Sequence, residues 1–152
     1  MKMNFRIFSA LILMIFIFQS CEENENESLV SANNGTKSHN MGLDCMNCHK
    51  SGGEGEGLFI VAGTVYNSGF TAVQPNGIVK LYTGANGTGT LKGTIPVDGK
   101  GNFYTTNTLD FTGGLYPAVT NTTGSVSYMS SPVTNGKCNS CHGSSTDKIF
   151  VN

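Results

Sequence analysis

Hydrophobic and polar positions fall into three regimes along the chain. From Ile7 to Phe18 the run IFSALILMIFIF is apolar apart from Ser9 and Ala10, and it follows the basic residues Lys2 and Arg6. It is shorter than the roughly 20 apolar residues that span a bilayer. A basic start before a short apolar core predicts a secretory signal peptide over residues 1–20. Residues 21–38 are almost free of apolar side chains and read as a solvated tether. Beyond residue 58, short segments rich in Val, Thr, Tyr and Phe alternate with Gly, Asn and Pro turns. That pattern predicts strands at 58–66, 77–83, 89–97, 101–107, 115–120 and 124–130. No helix with an apolar stripe of useful length is visible past the signal peptide.

The expected fold class is therefore all-β: a small β-sandwich over 58–130, flanked by loop or short-helix segments at 39–57 and 131–152. The second of these ends in DKIFVN, a short tail able to add one more strand. The first ends in a Gly/Glu-rich stretch that reads as a hinge. If six strands alternate up and down, the chain returns to the end where it entered, and the two flanking segments meet at one pole. Phe59, Tyr66, Tyr82, Phe103, Tyr104 and Tyr116 are expected to pack in the core and across strands.

Composition adds two constraints. The formal net charge is −1, there is no Trp, and Gly contributes 20 residues. A nearly neutral chain lacks the basic face that nucleic acid requires. Much of the apolar content lies in the signal peptide, so the core of the exported part is thin, and something besides apolar side chains is expected to help hold it together.

The candidate chemistry lies in five cysteines and three histidines. Cys45 and Cys48 stand in CMNCH, closed by His49; Cys138 and Cys141 stand in CNSCH, closed by His142. Paired Cys-x-x-Cys motifs suit a four-thiolate zinc site, but an oxidising compartment turns unprotected thiols into disulfides. Zinc also leaves the two adjacent histidines unexplained. A redox dithiol needs a helix N-terminus to lower a thiol pKa, and no βαβ unit is present; simple structural disulfides remain open. Covalent haem accounts for each position. Two thiols add to the two vinyl groups of one haem, and the following histidine turns under the ring to ligate iron. Two complete motifs resemble the attachment signature of c-type cytochromes. The resemblance implies two haem c groups, held by Cys45, Cys48, Cys138 and Cys141, with His49 and His142 as proximal iron ligands.

Only His39 then remains, so both irons cannot be bis-His within one chain. His39 lies six positions before Cys45, as upstream distal histidines do in segments of multihaem cytochromes, where they often serve a neighbouring haem. The alternative is an exposed tether histidine. For the other iron the proposed distal ligand is Met129, nine residues before Cys138, with Met41 and Met46 the other nearby thioethers. Met/His ligation raises the reduction potential relative to bis-His. An iron left with an open position would instead admit peroxide, as in dihaem peroxidases. Those are much larger chains, and few acid–base side chains stand near the motifs here.

Two further resemblances bear on placement and fold. The end of the apolar run, FQSC, resembles a bacterial lipoprotein signal, although Phe18 and Gln19 depart from the usual lipobox. It implies lipidation of Cys21 and anchoring to a membrane, with the outer membrane expected, in the periplasm or at the cell surface. The acidic run EENENE behind it resembles surface-export signals of some lipoproteins. The segments AGTVY, QPNGIVKLYT and TIPVDGKGNFY resemble the carboxypeptidase regulatory-like repeat, an immunoglobulin-type sandwich. Gly63–Tyr66 and Gly77–Leu81 match its first strands and Asp98–Phe103 a later turn.

The expectation is a membrane-tethered dihaem electron carrier, not an enzyme, that exchanges electrons with other redox proteins or cytochromes. A His39 that ligates haem in a second chain would add self-association. The competing expectation is an exported β-sandwich binding module stapled by zinc or disulfides.

Overall fold

All six expected strands form, each starting inside its expected span. A computed structural model describes residues 28–152; the signal peptide, Cys21 and the start of the tether lie outside the described residues. The strands are Val61–Asn67 (β1), Ile78–Tyr82 (β2), Leu91–Pro96 (β3), Asn102–Thr105 (β4), Tyr116–Thr120 (β5) and Val126–Tyr128 (β6). Two short strands follow, Gly136–Lys137 (β7) and Ile149–Val151 (β8), with a four-residue helical turn, Cys138–Cys141 (α1), between them.

One sheet has the order β4-β1-β7, with β8 also paired to β1; the other runs β3-β2-β5-β6. Both sheets contribute to one core. Val61, Val65, Phe103 and Val151 come from the first, and Val79, Leu81, Ile95 and Val119 from the second. Each such side chain buried contributes about 1.5–3 kcal/mol. Tyr82 pairs directly with Tyr116 across β2 and β5, as expected of the strand aromatics.

Every pairing among β1 to β6 is antiparallel, which is consistent with the up-and-down alternation of the even-count argument. β1 pairs antiparallel with β4 but parallel with both β7 and β8. The last segment therefore runs along one edge of β1 and belongs to the sandwich. Parallel pairing needs a long crossover, and the whole second sheet lies in the chain between the paired strands. The flanking segments meet on the first sheet, where β7 begins beside Val61 at the start of β1.

Alternation along β1 decides where they meet. Val61, Gly63 and Val65 face the core, so Ala62, Thr64 and Tyr66 face outward, with Asn102 and Tyr104 of β4 beside them in register. Thr64 and Asn102 are nonetheless 1% and 2% exposed, because the segment before Cys45 covers that face. Residues 28–38, expected as free tether, are docked too. Val30 bridges to Thr105, Ser31 donates its N–H to the Tyr104 carbonyl (3.0 Å), and Asn33 Nδ2 donates to the Val97 carbonyl (2.9 Å). This arm covers the free edge of β4, which would otherwise present unpaired backbone groups.

Candidate functional site

The two Cys-x-x-Cys-His loops share one local design. In the first, Cys45–Asn47 form a 3₁₀ turn capped by Asp44, whose Oδ1 accepts the Met46 N–H at 3.1 Å. In the second, the turn is α1. In both, the histidine N–H donates to the carbonyl of the first cysteine, His49 to Cys45 and His142 to Cys138, each at 3.0 Å. The first cysteine of each pair is half-buried and the second is exposed, and all four are unpaired.

The histidine rings are held alike as well. His49 Nδ1 lies 2.7 Å from the Glu56 carbonyl oxygen, and His142 Nδ1 lies 2.7 Å from that of Asp147. A carbonyl can only accept, so each Nδ1 carries the proton and each Nε2 is left as a lone-pair donor. This is how metal-ligating imidazoles have their tautomer and orientation set.

Around His49 the packing is close. Its ring stacks on Phe59 at 4.0 Å between centroids and 4° between planes, and Phe59 stacks in turn on Tyr104 at 4.8 Å. Gly55 covers the opposite face: a Cβ there would sit 2.7–2.9 Å from Nδ1, Cγ and Cε1 of the ring. The stretch expected as a hinge is thus a wrap around the imidazole, with Gly55 N–H also donating to the Cys48 carbonyl at 3.1 Å. His39 also stands close, its ring centroid 5.9 Å from that of His49 and tilted by 36°. His39 is exposed, but it does not sit on a free arm. Ser38 is buried, and Asn102 Nδ2 donates to Ser38 Oγ at 2.9 Å and to the His39 carbonyl at 3.2 Å.

The second loop sits at the edge of β1. Cys138 packs toward the core, its Cβ 3.0 Å from where a Cβ on Gly63 would lie, with Phe103 alongside. Beyond it lies a cavity of about 700 Å³ whose lining includes Cys138, Cys141 and His142 together with Val119, Tyr128 and Met129. That volume is within the usual range for cofactor sites, about 300–1,000 Å³. The structure thus brings Met129 to the second motif and His39 to the first.

These geometries bear on the three chemistries. Among the described residues, no three His, Cys, Asp or Glu side chains converge as metal donors, so the four cysteines do not gather into a thiolate zinc site. Burial raises the Cys45 pKa and pushes that of Cys138 up to about 12, with the neighbouring Cys45 charge adding to the rise. A redox dithiol needs the opposite shift. The residues fit haem better: an open-sided cavity beside one motif, and unpaired thiols with oriented imidazoles in both. Seven large hydrophobic side chains are exposed among the described residues. Three of them, Met41, Leu43 and Leu58, lie close in sequence to the first motif or to Phe59, and Tyr128 and Phe150 line the cavity. A large apolar ring at each loop would give them a partner.

Comparison with protein-family models, curated proteins and solved structures finds no match to this chain. The fold and the two loops stand on their own geometry.

Sequence reasoning passed over several residues that build these sites. Gly55 and Phe59 clamp His49, while Thr64, Asn102 and Asn139 form the polar support under both loops. An Asn between two motif cysteines carries no signal by itself. It acquires one only when β1 is known to lie against it.

Proposed function

We propose that this protein is an exported dihaem c-type electron carrier, anchored by lipid at Cys21. The observation that carries this reading is the matched pair of 2.7 Å contacts from His49 and His142 Nδ1 to backbone carbonyls. They leave both Nε2 atoms ready to ligate, each beside two unpaired cysteines. When bound, each haem c supplies a one-electron iron couple. Cys45 and Cys48 hold one group and Cys138 and Cys141 the other by thioether bonds, with His49 and His142 as proximal ligands.

His39 would supply the further ligand at the first site. Both rings would then hold one metal ion, which needs them close together. The rings of His39 and His49 are 5.9 Å apart. This favours ligation within one chain over a shared haem between chains. Met129, which lines the same cavity as His142, would supply the further ligand at the second site. A thioether there sets the second site at the higher potential of the two. No bond in a substrate is made or broken. The side chains orient the ligands, exclude water and present the cofactor edge to other redox proteins.

The test is a pyridine haemochrome spectrum of the purified protein, made in a host able to attach haem. Two thioether-linked haems per chain are expected. A colourless protein from such a host, with its motif thiols bridged or bound to another metal, would overturn the reading.

A further inference from the structure

The two loops are joined directly through one side chain. Asn139, the residue after Cys138, is 7% exposed, and all its polar atoms are committed. Its Oδ1 accepts the Thr64 N–H at 3.1 Å, and its Nδ2 donates to the Leu43 carbonyl at 2.9 Å and to Thr64 Oγ1 at 3.2 Å. Leu43 stands two residues before Cys45, and its carbonyl is also the neighbour of Cys45 Sγ, at 3.7 Å. One carbonyl therefore touches both the first sulfur of one motif and the side chain beside the first sulfur of the other.

Thr64 extends the link. Its Oγ1 accepts the Gly42 N–H at 2.9 Å and donates to Asn102 Oδ1 at 2.6 Å, and Asn102 holds Ser38 and the His39 carbonyl. A continuous buried network thus runs from the second motif, through β1, to the backbone of both the first motif and His39. No buried side-chain nitrogen or oxygen among the described residues is left without a partner. Fully satisfied networks of this kind rigidify the groups they join.

We infer that Asn139 is a positioning residue that fixes the distance and orientation between the two haem groups, making them one coupled electron-transfer unit. The inference rests on the dihaem reading and goes beyond it, since two motifs on one chain need not be rigidly related. The other intervening residue of the same loop, Ser140, supplies the control. It is exposed, and its hydroxyl donates to the Lys137 carbonyl without reaching the first loop.

The experiment is Soret-region circular dichroism, in which two close and fixed haems give a paired positive and negative band that isolated haems lack. Haem content is measured in parallel by pyridine haemochrome. The expected result is a couplet in the unaltered protein, kept by Ser140→Ala, and reduced at least twofold or changed in sign by Asn139→Ala with both haems present. Asn139→Asp is the second variant. It keeps an acceptor for Thr64 N–H but sets an oxygen against the Leu43 carbonyl, so it decides on the same readout where Asn139→Ala fails to load. Two haems with no couplet in the unaltered protein, or a couplet unchanged in the loaded variants, overturns the inference and leaves the dihaem reading standing. An unaltered protein that binds no haem overturns the dihaem reading itself.

Discussion

The imidazole of His49 lies flat against Phe59, with 4.0 Å between ring centroids, while Gly55 closes the other face. Gly55→Ala would drive a methyl group into the ring, and overpacking of this kind costs about 1–3 kcal/mol. Urea unfolding is expected to show that loss, together with, on the dihaem proposal, a disturbed low-spin signal from the first site in electron paramagnetic resonance. Gly69→Ala, whose nearest neighbour is 3.8 Å away, is expected to change stability by no more than about 0.5 kcal/mol.

His39→Ala removes the ring whose centroid lies 5.9 Å from that of His49. On the dihaem proposal, the first site is expected to become high-spin or to take up water, while the second keeps its spectrum. Resonance Raman spin-state marker bands separate the two. An unchanged spectrum would assign the sixth ligand elsewhere.

Met129→Ala is expected to abolish the near-infrared charge-transfer band that marks thioether ligation, with the first site untouched. Met129→His should keep the iron six-coordinate and lower the potential of the second site, because bis-His ligation sits below Met/His. Spectroelectrochemical titration reads both changes.

In protein made without haem attachment, the motif thiols are expected to react in a fixed order. Cys48 and Cys141 are exposed and should be alkylated first. Cys138, with its pKa moved from 9.0 to about 12, should be last. At pH 8 that shift lowers its thiolate fraction from about one in ten to about one in ten thousand, and the thiolate is the nucleophile. The linked effect on stability has a definite sign. The fold favours the protonated thiol, so this contribution is complete below pH 9 and is lost as the pH rises toward 12. Mass spectrometry of timed iodoacetamide samples gives the order.

Thr64→Val keeps the shape of β1 but deletes the hydroxyl that accepts from Gly42 and Asn139 and donates to Asn102. A buried partner left unsatisfied costs about 1–3 kcal/mol. Loss of stability in urea is expected, with weaker protection of the Gly42 amide in hydrogen exchange as the local signature.

Much of the scaffold was legible along the chain. Six short segments rich in Val, Thr, Tyr and Phe between Gly, Asn and Pro turns became β1 to β6, because such residues suit a pleated, half-buried surface. DKIFVN, marked as a possible extra strand, supplied β8. The GGEGEG stretch was misjudged as a hinge. Glycine reports only that a side chain is unwelcome, whether because the backbone must turn or because something else occupies the space. At Gly55 it is the His49 ring.

By itself the sequence determined the strands, the cysteine spacing and the pairing of each Cys-x-x-Cys with a histidine, since all of these are local along the chain. Only the tertiary structure decided which remaining side chain reaches which loop. Parallel pairing of β7 and β8 with β1 laid the second loop against Gly63 and opened the cavity that Met129 shares with His142. Packing on the outer face of β1 set His39 beside His49 and brought Asn139 to Leu43 across 96 residues of chain. Contacts at that separation depend on which sheet edges meet, and no local periodicity carries that information.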